Sequence, residues 1–236
     1  MNRIAVLVAA VFVVVTGGAA IWWFGQGTEA PSVDVTAPSV ETTTPAAESM
    51  SPTSAGDDST SDAVTYALTD ATRALFVIDE ELRGQPMTVT ATSSLVLGEM
   101  VLDPADPVSA QLGTILVNAR DFTTDSSNRN RAIRGPILDS DTFEFVEFAT
   151  DSIDRVESSG GEVTFTVTGD LTIRGVANRV TFDVRATLNG DETITGTAEA
   201  TVDHTDWGLN IPKAPGVANV SELVTLRLEF VAAPTA

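Results

Sequence analysis

The side chains able to do chemistry are few in kind. In 236 residues there is one histidine, His204, and no cysteine. A Ser-His-Asp triad would have to use His204, yet the chain contains no G-x-S-x-G nucleophile elbow. Without thiolates or further histidines, a metal site would need a tight carboxylate cluster, and none stands at recognisable spacing. Glycine loops that cradle phosphates are missing as well. The composition argues for a chain with no catalytic residue, no metal and no cofactor. Because acidic residues are scattered along the whole chain, a hydrolase working through a carboxylate pair stays open as an alternative. It would need an acidic pair with a raised pKa inside a pocket.

Cations are scarce, and three of them crowd one segment. Asp121 to Arg134 reads D-F-T-T-D-S-S-N-R-N-R-A-I-R and carries Arg129, Arg131 and Arg134. Asp125 fits an N-cap, Gly135 a C′ residue, and Pro136 follows, so the spacing predicts a short helix from about Ser126 to Arg134. Its arginines either face an anion at a rim or pair with Asp121, Asp125, Asp139 or Asp141. The second distinctive segment is the loop D-H-T-D-W-G-L, Asp203 to Leu209. There Trp207 either plugs the end of a core or lines the mouth of a cavity.

These segments must be positioned by strands. From Ala63 onward apolar and polar residues alternate with period two, broken by Gly, Pro, Asn and Asp. Strand regions are expected at 66–68, 74–78, 87–91, 95–102, 112–117, 143–149, 163–167, 193–202 and 220–231. Between 163–167 and 193–202 lies the hairpin T-G-D-L-T-I-R-G-V-A-N-R-V-T-F-D-V, Thr168 to Val184, turning at Gly175. Leu171, Ile173, Val180, Phe182 and Val184 share one face of it, while Thr172, Thr181 and Asp183 take the other. About eight short-spaced strands with one helix make an all-β antiparallel barrel or sandwich. A closed barrel of eight strands has room for its own side chains or for one small ligand.

The N-terminal quarter is different. Ile4 to Phe24 holds no charged residue, a length suited to a transmembrane helix, with Arg3 before it and no further cation until Arg73. Positive-inside logic puts the N-terminus in the cytoplasm and the rest outside the cell membrane, with Trp22 and Trp23 at the outer interface. Cleavage as a signal peptide after the small residues 17–20 is the alternative, and would make the chain secreted. Residues 25–62 are rich in Pro, Ser, Thr and acidic residues with no Lys or Arg. That composition reads as a disordered tether. The organisation is thus 1–24 anchor, 25–62 linker and 63–236 barrel. A net charge of −20 and a pI near 4.1 repel phosphate backbones, so nucleic acid is not an expected partner.

Five motifs in order resemble the YceI-like, polyisoprenoid-binding family: D-F-x-T-D at 121–125, the arginine-bearing helix leading to Leu138-Asp139, F-E-F-V-E-F at 143–148, G-D-L-T-I-R-G-V at 169–176 and D-W-G-L at 206–209. The resemblance spans about Val64 to Val231. It implies a lipocalin-like antiparallel β-barrel whose apolar tunnel holds a polyprenyl phosphate, a quinone tail or another long isoprenoid. The chain departs from the family pattern in Ala132-Ile133, where a His-Leu pair is common, and in Phe143-Glu144, where Tyr-Pro is common. A basic residue usually precedes the last motif, and here His204 takes that place.

Together these readings make the chain a membrane-tethered, extracytoplasmic lipid-binding module. The expected tunnel residues are Phe122, Ile133, Phe148, Phe165, Leu171, Ile173, Phe182, Trp207, Leu226 and Leu228. Arg131, Arg134, Arg174 and His204 are the head-group candidates. A filled barrel serving as a stress-response or interaction module is the rival, since a packed core has the same parity. Small inward residues favour the tunnel and bulky ones the plug. The oligomeric state is left open, a dimer included.

Overall fold

A computed structural model describes residues 63–103 and 106–235. The anchor expected over 1–24 and the linker over 25–62 lie outside the described residues. Among the described residues, no helix is long and apolar enough to cross a membrane.

The fold is all-β. Its strands are β1 Val64–Leu68, β2 Arg73–Leu82, β3 Gln85–Ser93, β4 Val96–Leu97, β5 Glu99–Asp103, β6 Asp106–Leu112, β7 Ile115–Asn118, β8 Phe145–Ser159, β9 Glu162–Ile173, β10 Val176–Leu188, β11 Ile194–Asp203, β12 Val217–Ala218 and β13 Leu223–Pro234. They form one antiparallel sheet in the order β4-β7-β8-β9-β10-β11-β13-β1-β5-β6, with β2 pairing β13, β3 and β12. The sheet curls into a half-barrel. Two of its edge strands, β3 and β4, are joined by the chain itself, with only Ser94 and Leu95 between them.

Long strands are divided where the curl bends. The region 95–102 is two strands, β4 and β5, parted at Gly98, where a Cβ would lie 2.4 Å from Ile115 Cδ1. β8 runs ten residues past the expected Ala149, because register shifts at Thr150/Ser152 and Asp154/Glu157 break its alternation. Arg155, inside the second bulge, has a φ of 56°. An extra residue in one strand throws the following side chains onto the other face, which hides such a strand from a period-two reading.

Two tight turns share the dipeptide Arg-Gly. Arg83-Gly84 joins β2 to β3 and Arg174-Gly175 joins β9 to β10, with φ of 53° and 78°, then 52° and 77°. Two successive positive φ values are the type I′ pattern, whose twist matches that of a hairpin. In the second hairpin Ile173 pairs Val176, Leu171 pairs Asn178 and Val167 pairs Phe182. Leu171, Ile173, Val180 and Val184 are buried, and Thr181 and Asp183 exposed, as the alternation predicts.

The α-helical part is shorter than expected and ends differently. An α-helix α1 spans Ser127–Ala132 and passes into a π-turn over Ile133–Ile137 that contains Pro136. Ser126, not Asp125, holds the N-cap position. The chain leaves the turn at Asp139, φ 48°, rather than at Gly135. With the backbone N–H of Leu138 bonded to the Ile133 carbonyl, the wider turn admits the proline before terminating.

Candidate functional site

The inward face of the sheet carries two main apolar clusters. At one end Phe122, Ile133, Leu138, Leu171, Ile173 and Trp207 are buried together. Trp207 is 3% exposed and its ring N–H donates to the Leu171 carbonyl at 2.9 Å. Its loop is a 3-10 turn that Asp203 begins and Gly208 ends, at φ 64°. Asn178 donates to the Asp206 carbonyl at 3.0 Å, fastening this loop to the hairpin. Trp207 therefore packs as a plug over that end. The other end holds Tyr66, Val167, Val184, Ile194, Phe230 and Ala232.

Between the two clusters the wall is less closed. Along β13 the inward residues are Val224, Leu226, Leu228 and Phe230; the first and last are buried, the middle two only partly. The same holds for Phe182 between Val180 and Val184 on β10, and for Phe76 between Ala74 and Ile78 on β2. Leu226 faces Phe76 and Ala200 in neighbouring strands, and Leu228 faces Ala74 and Ala198. These partly covered side chains sit opposite one another across the strands, so the wall keeps accessible apolar surface between the buried ends of the curl. Its side chains are aliphatic and aromatic. Phe148 and Phe182 touch both clusters, with ring centroids 5.0 Å apart in an edge-to-face pair.

The sequence and the fold now meet a family. The YceI-like domain family matches residues 66–232. The chain belongs to it. BcnA of Burkholderia cenocepacia has a similar fold, at 19% identity and a TM-score of 0.58, covering 70% of this chain and 99% of that one. A polyisoprenoid-binding domain from Saccharophagus degradans, implicated in plant cell wall breakdown, is 13% identical with a TM-score of 0.58 over 73% of this chain and 99% of that one. No curated protein matches the sequence.

In this YceI-like domain the ten expected tunnel residues all lie in the two clusters. Phe122, Ile133, Leu171, Ile173 and Trp207 are buried in the first, against which Phe148, Phe182 and Leu226 pack, while Phe165 and Leu228 pack on the second. The head-group candidates are dispersed. Arg174 lies at the hairpin tip with Nη1 3.5 Å from the Pro136 carbonyl and 3.4 Å from that of Ile137, tying the hairpin to the π-turn. Arg134 Nε donates to the Phe122 carbonyl at 3.2 Å. Arg131 is exposed and donates to Asn128 Oδ1 at 3.3 Å. His204 Nδ1 lies 3.2 Å from the Leu209 carbonyl.

Several residues that shape the site were not singled out by sequence. Phe76, whose ring centroid is 5.3 Å from that of Phe122, was legible only as one member of an alternating run. Arg129 pairs with Asp125, one of the acidic partners expected, but also with Glu80 at 2.9 Å, from 49 residues away. A partly buried polar knot also forms: Arg120 pairs Glu144 at 2.8 Å, Glu144 accepts from Asn118 Nδ2 at 3.1 Å, and Arg120 Nε donates to the Ser140 carbonyl at 3.0 Å. Such pairings need the fold, since no spacing announces them.

A separate polar recess of about 620 Å³ lies on the outward face, lined by Asp154, Arg155, Thr166, Thr168, Thr181 and Asp183. Asp154 and Asp183 flank Thr166 in the ladder. These carboxylates belong to the outer face of the sheet, not to the apolar interior. Among the described residues, no group of three or more His, Asp or Glu side chains could hold a metal ion.

Proposed function

We propose that the chain is a membrane-tethered, extracytoplasmic binding protein that holds a long isoprenoid in the interior of its barrel. The observation that carries this is the row of partly covered apolar side chains, Phe76, Phe182, Leu226 and Leu228, between two buried ends. A prenyl chain lying there would lose apolar surface to the wall at about 25 cal/mol per Å², before ordering costs. Inward alanines at 74, 198 and 200 leave width beside those side chains. The polyisoprenoid-binding description of the Saccharophagus degradans domain agrees with this reading. The tether rests on the uncharged run Ile4 to Phe24, with the acidic linker as spacer.

The test is lipid extraction from the full chain, purified from membranes, followed by mass spectrometry and titration with a prenyl quinone. A co-purifying isoprenoid and saturable uptake are expected. Ala198→Phe, which sets a ring in the space, should weaken uptake about tenfold, equivalent to about 1.4 kcal/mol, while circular dichroism keeps the strand signal. Neither lipid nor uptake in the wild-type chain would instead establish the filled barrel.

A further inference from the structure

We infer that the Tyr66 hydroxyl is the hydrogen-bonding anchor for the head of the bound isoprenoid, and that this head is an uncharged oxygen group such as a quinone carbonyl or an alcohol. This rests on the lipid-binding reading and places the head in the half of the interior away from Trp207. Tyr66, the only tyrosine of the chain, is 3% exposed on β1, in the inward cluster against which Phe165, Phe182 and Leu228 pack. A buried phenol ordinarily finds a partner for its O–H. Among the described residues this one has none. No fully enclosed side-chain oxygen or nitrogen among them is left without a bond, so the unpaired hydroxyl keeps a sliver of accessible surface rather than being sealed in.

A strand side chain stands nearly perpendicular to its sheet, so the ring carries this hydroxyl into the curl, clear of the backbone ladders that β1 forms with β5 and β13. The side chains clustered there are apolar, among them Met100, Val167, Val184, Ile194 and Phe230. An ordered water needs two to four polar partners, and the hydroxyl is one. A ligand oxygen on the end of an apolar chain needs only that one bond, while its chain covers the partly buried wall at Phe182 and Leu228. The cations of this half lie elsewhere. Arg73, Arg185 and Arg227 each adjoin an inward residue, Ala74, Val184 and Leu228, so alternation turns them outward, where Arg185 pairs Glu162 and Arg227 pairs Glu199. Arg155 lines the outward recess. A phosphate beside Tyr66 would therefore leave water for one neutral donor and no countercharge, which an uncharged head avoids.

The experiment compares wild type with Tyr66→Phe, which removes only the hydroxyl, in the full-length protein in a neutral detergent. Each is titrated with a prenyl quinone, with a prenyl phosphate and with an isoprenoid hydrocarbon, all of equal chain length. The variant should bind the quinone about tenfold more weakly, a difference of about 1.4 kcal/mol, and the hydrocarbon within about twofold of wild type. Because the chain has one tyrosine, isotope labelling at tyrosine Cζ gives a single NMR signal, which the quinone should shift further than the hydrocarbon does. Urea unfolding of the ligand-free variant should show equal or higher stability, since an unpaired hydroxyl is removed. Equal loss of quinone and hydrocarbon binding, or unchanged quinone binding, overturns the anchor while leaving the lipid site standing. So does a less stable ligand-free variant, which would show that the hydroxyl already has a partner in the protein. Tighter binding of the phosphate than of the quinone by the wild type overturns the uncharged head. Failure of the wild type to bind any of the three overturns the lipid-binding reading itself.

Discussion

Asp203 accepts hydrogen bonds from the Thr205 hydroxyl at 2.7 Å and the Thr205 backbone N–H at 2.8 Å. The hydroxyl first, then the backbone donor, hold its carboxyl below the ordinary aspartate value. A carboxyl depressed in the folded state stabilises the fold above its unfolded pKa, about 3.9, and loses that contribution as pH falls through the folded value. Carbon-detected NMR of the side-chain carboxyl should therefore show Asp203 titrating below its unfolded counterpart. Thr205→Val removes the larger cause and should move the midpoint upward, with the backbone bond retaining part of the shift. A midpoint that stays put would show that the backbone donor alone holds it. The consequence is local, since this turn carries Trp207 onto the end of the interior.

Gly169 shows what the pairing of elements demands of one position. It lies on the inward face of β9, opposite Val180 of β10, and a Cβ there would come within 2.3 Å of the Ala149 carbonyl oxygen and 2.8 Å of Phe148 Cζ. The Phe148 ring covers the glycine, as Phe230 covers Gly196 two strands away, where a Cβ would meet Cζ at 2.5 Å. Gly169→Ala must push β8 from β9 or displace the ring. A loss of about 1–3 kcal/mol in urea unfolding is expected, as for overpacked cores. A loss under about 0.5 kcal/mol would mean that the strands part freely there. At this scale the hairpin was readable because its alternation is unbroken and its turn dipeptide adopts positive φ. The second half of β8 was not, because two bulges reset its parity and Arg155 takes a conformation that arginine seldom adopts.

For the whole molecule, the curl depends on the bend between β3 and β4. Asp121 Oδ2 accepts from the backbone N–H groups of Ser94 at 2.6 Å and Leu95 at 3.2 Å, and from the Ser94 hydroxyl at 3.0 Å. The β3 backbone also bridges to Thr123. Asp121→Ala should cost about 2–3 kcal/mol in chemical denaturation, given several bonds to a charged acceptor. Hydrogen exchange should speed up first at Ser94 and Leu95, and exchange confined to other strands would sink this account of the bend. In the sequence Asp121 stood out as the start of D-F-x-T-D and as a partner for arginine, and its hydrogen bonds go instead to a turn 26 and 27 residues earlier. By itself the sequence determined the all-β class, the apolar face of each unbroken strand and the family, because alternation and turn chemistry are local properties. Only the tertiary structure decided that Glu80 meets Arg129, that Arg174 faces carbonyls, and that Leu226 and Leu228 keep surface between buried ends. Those facts depend on which distant residues the curl brings within a few ångströms, and no local pattern encodes that distance.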